Sequence, residues 1–419
     1  MADDQGAPTK DARAEAEARA WSMPIEQINV ADPYLFAAGD ELPYFARLRR
    51  DAPVHYQPEH EFGPYWSVTR YQDIMAVDTD HETFSSEPAI TIAEPEDDFR
   101  LPMFIAMDPP KHDVQRKTVS PVVSGPNLQT LEPLIRQRAG AILDALPIGE
   151  EFDWVDKVSA ELTAMTLATL FDIPQEDRRK LTRWSDVATA REDSGVVESQ
   201  AARRVELLEC VDYFTQVWQD RLKGEPRNDL ISMLAHGPST RDMSRMEYLG
   251  NLVLLIVGGN DTTRNTISGS VLALNQNPEQ YDRLKADREL IPGMVSETLR
   301  WQTPLAHMRR IAKRDVELGE KTIRQGEKVV MWYVSGNRDE RMIERPDDYW
   351  IERPRARQHL SFGFGIHRCV GNRLAELQLM VIWQEILKRF SHVEVLAEPK
   401  RVHSSFVRGY ERLPVRLHA

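Results

Sequence analysis

Residues 246–278, MEYLGNLVLLIVGGNDTTRNTISGSVLALNQNP, carry apolar side chains on every side of a helical wheel through their middle. That pattern predicts one long helix, buried all round. From Lys111 to about Ala235 the periodicity is again mostly helical, broken near Gly149 and Gly195. Further helices follow and stop at Pro304, and NRLAELQLMVIWQEILKRF (372–390) is another. Strand patterns are fewer. FGPYWSVTRY (62–71) clusters aromatic and β-branched residues after a Gly-Pro turn and predicts a strand ending in Tyr71. Residues 309–334 alternate, with turns at Gly319 and Gly326, and the chain closes on strand-like VRLHA. SSEPAITIAEPEDDFRLP (85–102) has no period and predicts a long loop, of the kind that often binds something. The fold class expected is mainly α with small β-sheets (α+β).

Residues 1–20 are polar and are expected to be disordered, leaving 21–419 as one domain with no repeat or flexible linker. A domain of about 400 residues exceeds the usual ceiling. A large cofactor buried in its middle would account for the size. The net charge of -13 argues against a nucleic-acid binder. No segment reaches the roughly 18 consecutive apolar residues of a membrane span. The N-terminus lacks an apolar signal core. Two cysteines, Cys210 and Cys369, cannot form a disulfide framework. These features predict a cytoplasmic protein in a reducing compartment.

Cys369 lies in FGFGIHRCVG, residues 362–371. Structural zinc needs about four ligands at tight spacing, and His367 with Cys369 supplies two. A nucleophilic cysteine needs an oriented base, which a Gly-rich loop does not guarantee. A buried thiol is the common fate of a free cysteine. Here, however, Gly363, Gly365 and Gly371 clear side chains from around the sulfur, so a large flat ligand can approach the backbone. The helix beginning just after Cys369 favours thiolate over thiol. A single thiolate on an open loop suits an axial haem ligand.

Three other stretches stand out, and the first breaks local rules. Gly258-Gly259-Asn260-Asp261-Thr262-Thr263 interrupts the long apolar helix, at roughly 1 kcal/mol per glycine relative to alanine. Such violations tend to mark functional sites, although a tight helix crossing would also use glycines. The Thr262 hydroxyl can bond the Gly258 carbonyl and distort the helix. Glu297 and Arg300 stand at i, i+3, which alone would be an exposed pair worth about 0.3–0.5 kcal/mol. In DPPKHDVQR (108–116), His112 and Arg116 share one helix face.

Together these features resemble the cytochrome P450 monooxygenases. Phe362-x-x-Gly365-x-His367-x-Cys369-x-Gly371 is similar to their haem-binding loop, and the order helix, ExxR, strands, Cys loop is similar to their arrangement. The resemblance covers nearly the whole chain from about Trp21. It implies the P450 fold, with haem b buried between the long helix and the Cys loop and Cys369 as its axial metal ligand. It implies that Glu297 and Arg300 are buried, with Arg353 in WIERPR as third partner. It implies that His112, Arg116, Arg309 and His367 meet the haem propionates, with His307 a further candidate. Asp261 and Thr262 match the family's proton-delivering acid–threonine pair. The positions implied for the substrate pocket are Ile105, Leu254, Val257, Gly258, Leu305, Phe406 and Val407.

Within the family, FGPYWSVTRY, FIAMDPPKH, LLIVGGNDTTRN, RWQTPLAHMRR, VVMWYVSGNRDE and RQHLSFGFGIHRCVGNRLAE most resemble the soluble bacterial alkane and fatty-acid terminal (ω-) hydroxylases. The reaction implied is R–H + O2 + 2 e– + 2 H+ → R–OH + H2O. No flavin or iron–sulfur segment is present, so electrons are expected from a ferredoxin and its NAD(P)H-dependent reductase. Lys117, Arg368 and Arg373 are the candidate docking patch. A monomer is the expected state. A terpene or steroid hydroxylase would use the same core motifs. A haem-thiolate sensor would have no need of Asp261-Thr262, and a peroxygenase would replace that pair.

Overall fold

The computed structural model describes residues 10–419. Its principal helices are α1 (Lys10–Ser22), α2 (Tyr71–Thr79), α3 (Lys111–Val119), α4 (Gly125–Asp144) and α5 (Ala160–Phe171). They continue with α6 (Arg178–Thr189), α7 (Gln200–Leu222), α8 (Arg245–Gln276), α9 (Ile291–Gln302) and α10 (Asn372–Arg389). Helix α8 starts where Ser244 accepts a hydrogen bond from the Glu247 amide at 3.2 Å. That S-x-x-E pattern satisfies an otherwise free amide of the first turn. Helix α9 ends at Thr303 in a left-handed conformation, and Pro304 follows.

Helix α8 runs through the middle and packs against α5, α6, α7, α9 and α10. The main core gathers Trp154, Phe171, Phe214 and Trp383 around it. Beside this helical body lies a five-stranded sheet of β1 (Val54–Gln57), β2 (Tyr65–Val68), β3 (Phe84–Ser85), β4 (Met308–Ala312) and β5 (Lys328–Met331). Its order is β1-β2-β5-β4-β3, with only the β2–β5 pair parallel. On β4, Arg309 lies opposite Val330 and Arg310 opposite Val329, so the two arginines leave opposite faces of the sheet. A smaller sheet joins Glu151–Asp153, Pro414–His418 and His392–Val395.

Three expectations need correction. Lys10–Ser22 is helical rather than disordered, because Ala16 and Ala20 are fully buried and Arg47 and Arg50 lie over the Trp21 ring. The earlier part of that segment, residues 1–9, lies outside the described residues. Tyr71 opens α2 instead of ending a strand, since β2 stops at Val68.

The third correction concerns α8. Its buried side mixes apolar residues such as Leu252, Ile256, Ile267 and Val271 with a run of polar ones. Ser268 meets Ser159 at 2.8 Å, Asn260 accepts from Thr163 at 3.1 Å, and Ser270 accepts from the Trp383 indole at 2.7 Å. Asn265 accepts from the Tyr410 amide at 3.1 Å. The apolar face, with Leu254, Val257 and Gly258, is instead open to an internal cavity. These four side chains are tolerated there because each makes at least one hydrogen bond. Among the described residues, no helix is long and apolar enough to cross a membrane.

Candidate active site

A cavity of about 1150 Å³ separates α8 from the Cys loop. The loop is shaped by conformations that side chains resist. Gly363 and Gly365 take φ of +62° and +65°, and a Cβ on Gly365 would meet the Asp78 carbonyl at 2.6 Å. The Cys369 amide donates to the Phe362 carbonyl at 2.8 Å, closing the loop on itself. Ser361 donates to the Leu299 carbonyl at 2.7 Å and so ties the loop to α9. Nothing lies within 4 Å of where a Gly371 side chain would stand. The Cys369 sulfur opens onto the cavity, as does the Phe362 side chain. Burial pushes its thiol up, while the Gly371 amide, Arg116, Arg368 and the Asn372 amide pull the other way.

Beneath the loop, Glu297 is fully buried and both its oxygens are taken. Arg300 donates to them at 2.8 and 2.7 Å, Arg353 at 2.9 and 3.2 Å, and the Trp350 amide at 2.9 Å. Arg300 spends its remaining N–H groups on the carbonyls of Asn337, Pro346 and Asp348. This is the full set of bonds that a buried ion pair requires. The structure thus brings together the three residues expected there.

Arg116 and His367 line one edge of the cavity, and His112 packs against the His367 ring. The two imidazole rings lie 4.2 Å apart. His112 Nδ1 bonds Asp113 at 2.7 Å, but its Nε2 and both nitrogens of His367 are buried without any partner. Burial, with Arg310 nearby, drives the His367 pKa down to about 2, so the ring is neutral. Arg116 reaches only the Arg368 carbonyl.

Arg309 does not join them. It points away from the cavity to Glu94, with two contacts of 3.0 Å, and to the carbonyls of Ile92 and Ala93. It therefore fastens the 85–102 loop to the sheet. The cavity-facing arginine is its neighbour Arg310, because one step along a strand exchanges faces. Arg310 donates to Asp78 at 2.8 Å, and Asp78 also accepts from Tyr333 and the Phe364 amide, each at 2.8 Å. Asp78, which sequence reasoning missed, thus locks Arg310 and the Cys loop together. His307 does not line the cavity. Its Nδ1 bonds the Ser405 carbonyl at 3.1 Å, and its ring packs between Trp332 and Phe406.

Across the cavity the two glycines of α8 do different things. A Cβ at Gly258 would meet nothing within 4 Å, whereas one at Gly259 would strike Leu167 of α5 at 2.6 Å. Gly258 makes space and Gly259 makes a helix crossing. Thr262 lines the cavity and donates to the Gly258 carbonyl at 2.7 Å, as its spacing allows. Asp261 faces the other way. Its carboxylate accepts from Ser185 at 2.9 Å, Thr189 at 3.3 Å, Asn260 at 3.1 Å and Arg264 at 2.9 Å. Burial pushes its carboxyl up, and Arg264 opposes that.

Of the expected pocket residues, Ile105, Leu254, Val257, Gly258, Leu305 and Phe406 line the cavity. Val407 does not. It is buried behind the wall, paired through its backbone with Leu305. Sequence reasoning missed Ile90 and Phe99 of the long loop, Met103 just after it, and Leu207 of α7, all on the wall. The loop's length was the available signal. Lys117, Arg368 and Arg373 are exposed and, among the described residues, have no carboxylate in ion-pair reach.

A flat anionic macrocycle fits this arrangement. It needs a broad apolar gap, an axial ligand on one side and donors for its acidic edge. The cavity, the open Cys369 sulfur, and Arg116 with the unpartnered His367 nitrogens match those needs in turn.

Comparison with known proteins agrees. The family model "Cytochrome P450" matches residues 198–410. Linalool 8-monooxygenase of Pseudomonas putida is 35% identical over 405 residues, covering 93% of this chain and 99% of that protein. The solved structure of cytochrome P450-153 from Novosphingobium aromaticivorans is 46% identical with a TM-score of 0.88, over 93% of this chain and 99% of that one. CYP153D17 from Sphingomonas sp. PAMC 26605 is 47% identical with a TM-score of 0.89, over 94% of this chain and 100% of that one.

Proposed function

The chain belongs to the cytochrome P450 family, and from that premise we propose that it hydroxylates the terminal carbon of medium-chain alkanes or fatty acids. The family's cofactor is haem b with an axial cysteine, here Cys369, and its members are monooxygenases. When bound, the haem supplies the activation of O2 for insertion into a C–H bond.

The residues of this chain take the following parts. Phe362, Gly365 and Gly371 shape the loop that presents Cys369. Arg116, His367 and Arg310 would hold the propionates, with His112 set against the His367 ring. Glu297, Arg300 and Arg353 keep the loop's support rigid. Thr262 donates a proton into the cavity. Asp261 resupplies it from behind, through the Ser185 and Thr189 hydroxyls and the half-exposed Asp186–Arg264 pair. Lys117, Arg368 and Arg373 receive an acidic ferredoxin, reduced by an NAD(P)H-dependent reductase.

The observation that carries the substrate reading is the wall around Thr262. Leu254, Val257, Leu305 and Phe406 line it, and the Thr262 and Thr266 hydroxyls are already bonded to the carbonyls of Gly258 and Thr262. Such a wall holds a hydrocarbon and offers no hydrogen bond to orient a polar group. The resemblance of the sequence segments named above to terminal hydroxylases supports the same reading. The similarity to a linalool 8-monooxygenase favours a second one, a terpene substrate.

The test supplies ferredoxin, reductase and NADH to the purified holoenzyme and identifies the products from octane and lauric acid by mass spectrometry. Oxygen at the terminal carbon is expected. Oxygen only at internal carbons, or no product beside a normal carbon monoxide spectrum, overturns linear-chain terminal attack and favours the terpene reading.

A further inference from the structure

Seven cationic side chains line the cavity, and five already have a carboxylate. Lys111 meets Glu247 at 2.9 Å, Arg100 meets Asp97 at 2.6 Å, and Arg191 meets Glu61 at 2.9 Å. Arg204 meets Asp98 at 2.6 Å, and Arg310 meets Asp78 at 2.8 Å. Among the described residues, Arg116 and Arg203 are the lining cations with no carboxylate in ion-pair reach. Arg116 belongs to the cofactor's acidic edge, beside Cys369. Arg203 does not.

Arg203 lies in the first turn of α7. With Gln200 and Leu207 it forms one helix face, at i, i+3 and i+7, turned to the cavity. Among the described residues its side chain bonds only the Ala188 carbonyl, at 2.6 Å, which leaves most of its fork of donors unused. Its neighbourhood is poorly solvated. Leu207, one turn on, is fully buried, and burial pushes the Arg203 guanidinium below its ordinary pKa. The acid whose field reaches it, Glu96, is held by Arg204. Asp98, the second acid on Arg204, is 74% exposed and its field is weakened by solvent. A half-buried guanidinium without a counter-ion is costly to maintain unless a ligand completes it.

We propose that Arg203 binds the carboxylate of a linear-chain acid, anchoring it to α7 so that the methyl end extends toward Thr262. This inference rests on the linear-chain reading above and narrows it from alkanes or acids to acids. A guanidinium fork and a carboxylate match in two parallel hydrogen bonds. The anchor fixes which end of the chain remains free, so it is a specificity-determining contact distant in sequence from the acid–threonine pair.

The test titrates the holoenzyme with dodecanoic acid, its methyl ester and dodecane, followed by the haem spin-state absorbance and by calorimetry. The acid is expected to bind wild type more tightly than the ester. Arg203→Gln should weaken the acid about 10- to 100-fold and leave the ester and dodecane unchanged. Arg203→Lys should fall between, since it keeps the charge and loses the fork. Arg203→Met keeps the apolar stem and serves as the second neutral variant. Equal weakening of all three ligands, or acid binding that ignores the substitutions, overturns the anchor while the linear-chain reading stands. Failure of wild type to bind any of the three overturns that reading, and the anchor with it.

Discussion

On the Cys369 side of the cavity, charge is locked in place. Glu297 accepts five hydrogen bonds, Asp78 accepts three, and the loop between them is pinned at both ends. On the opposite side, α8 turns its polar residues away and shows the cavity Leu254, Val257 and a bare Gly258. The first wall holds one geometry, which a ligand to a metal requires. The second wall is a shape without directional contacts, which suits an apolar guest. The cavity-facing hydroxyls of α8 are those of Thr262, Thr263 and, one turn on, Thr266, so chemistry and binding divide between the walls.

The largest effect should come from the locked wall. Glu297→Gln leaves two buried guanidinium groups short of their counter-charge. A loss of about 3–5 kcal/mol is expected, read by denaturant unfolding and by a diminished carbon monoxide spectrum. Unchanged stability would show that the wall does not depend on this ion pair. Next comes the single chemical group of the open wall. Thr262→Ala should leave the spectrum intact while product per NADH falls and released peroxide rises, by about 10-fold or more. Unaltered coupling would remove Thr262 from proton delivery.

The paired arginines of β4 sharpen the comparison further. Arg310→Ala should release haem more readily, because it removes a donor at the cavity and unbalances Asp78, at a cost of about 1–3 kcal/mol. Arg309→Ala should spare haem retention and instead expose the 85–102 loop to proteolysis. Equal haem loss in both would contradict their opposite faces. The smallest effects separate the two glycines. Gly259→Ala should destabilise by about 1–3 kcal/mol through the clash with Leu167. Gly258→Ala should be neutral or stabilising by up to about 1 kcal/mol, while shrinking the space beside Thr262 and weakening substrate binding.

These residues also show what could be read from the chain beforehand. Cys369 with its glycines, Glu297 with Arg300, and His112 with Arg116 are local patterns, and the structure keeps each of them together. Arg353 was placed on the order of segments and does reach Glu297. Arg309 was misplaced because two consecutive arginines on a strand differ only in face, and face is decided by the register with Val329 and Val330. Val407 was misplaced for a similar reason. Its backbone pairing with Leu305 puts it behind the wall. Asp78 carried no signal, since a lone aspartate in a short helix is ordinary until three donors converge on it.

The spacing of residues along the chain by itself determined that α8 is one helix, that its Thr262 reaches Gly258, and that an open cysteine loop precedes α10. Those are properties of a few consecutive residues and follow from helix and turn geometry. Which side of α8 meets the cavity, which arginine of β4 faces inward, and that Arg203 is left without a carboxylate were decided only by tertiary structure. Each depends on contacts between separate segments, such as Arg310 with Asp78 and Arg204 with Glu96, and no local pattern records which contact forms.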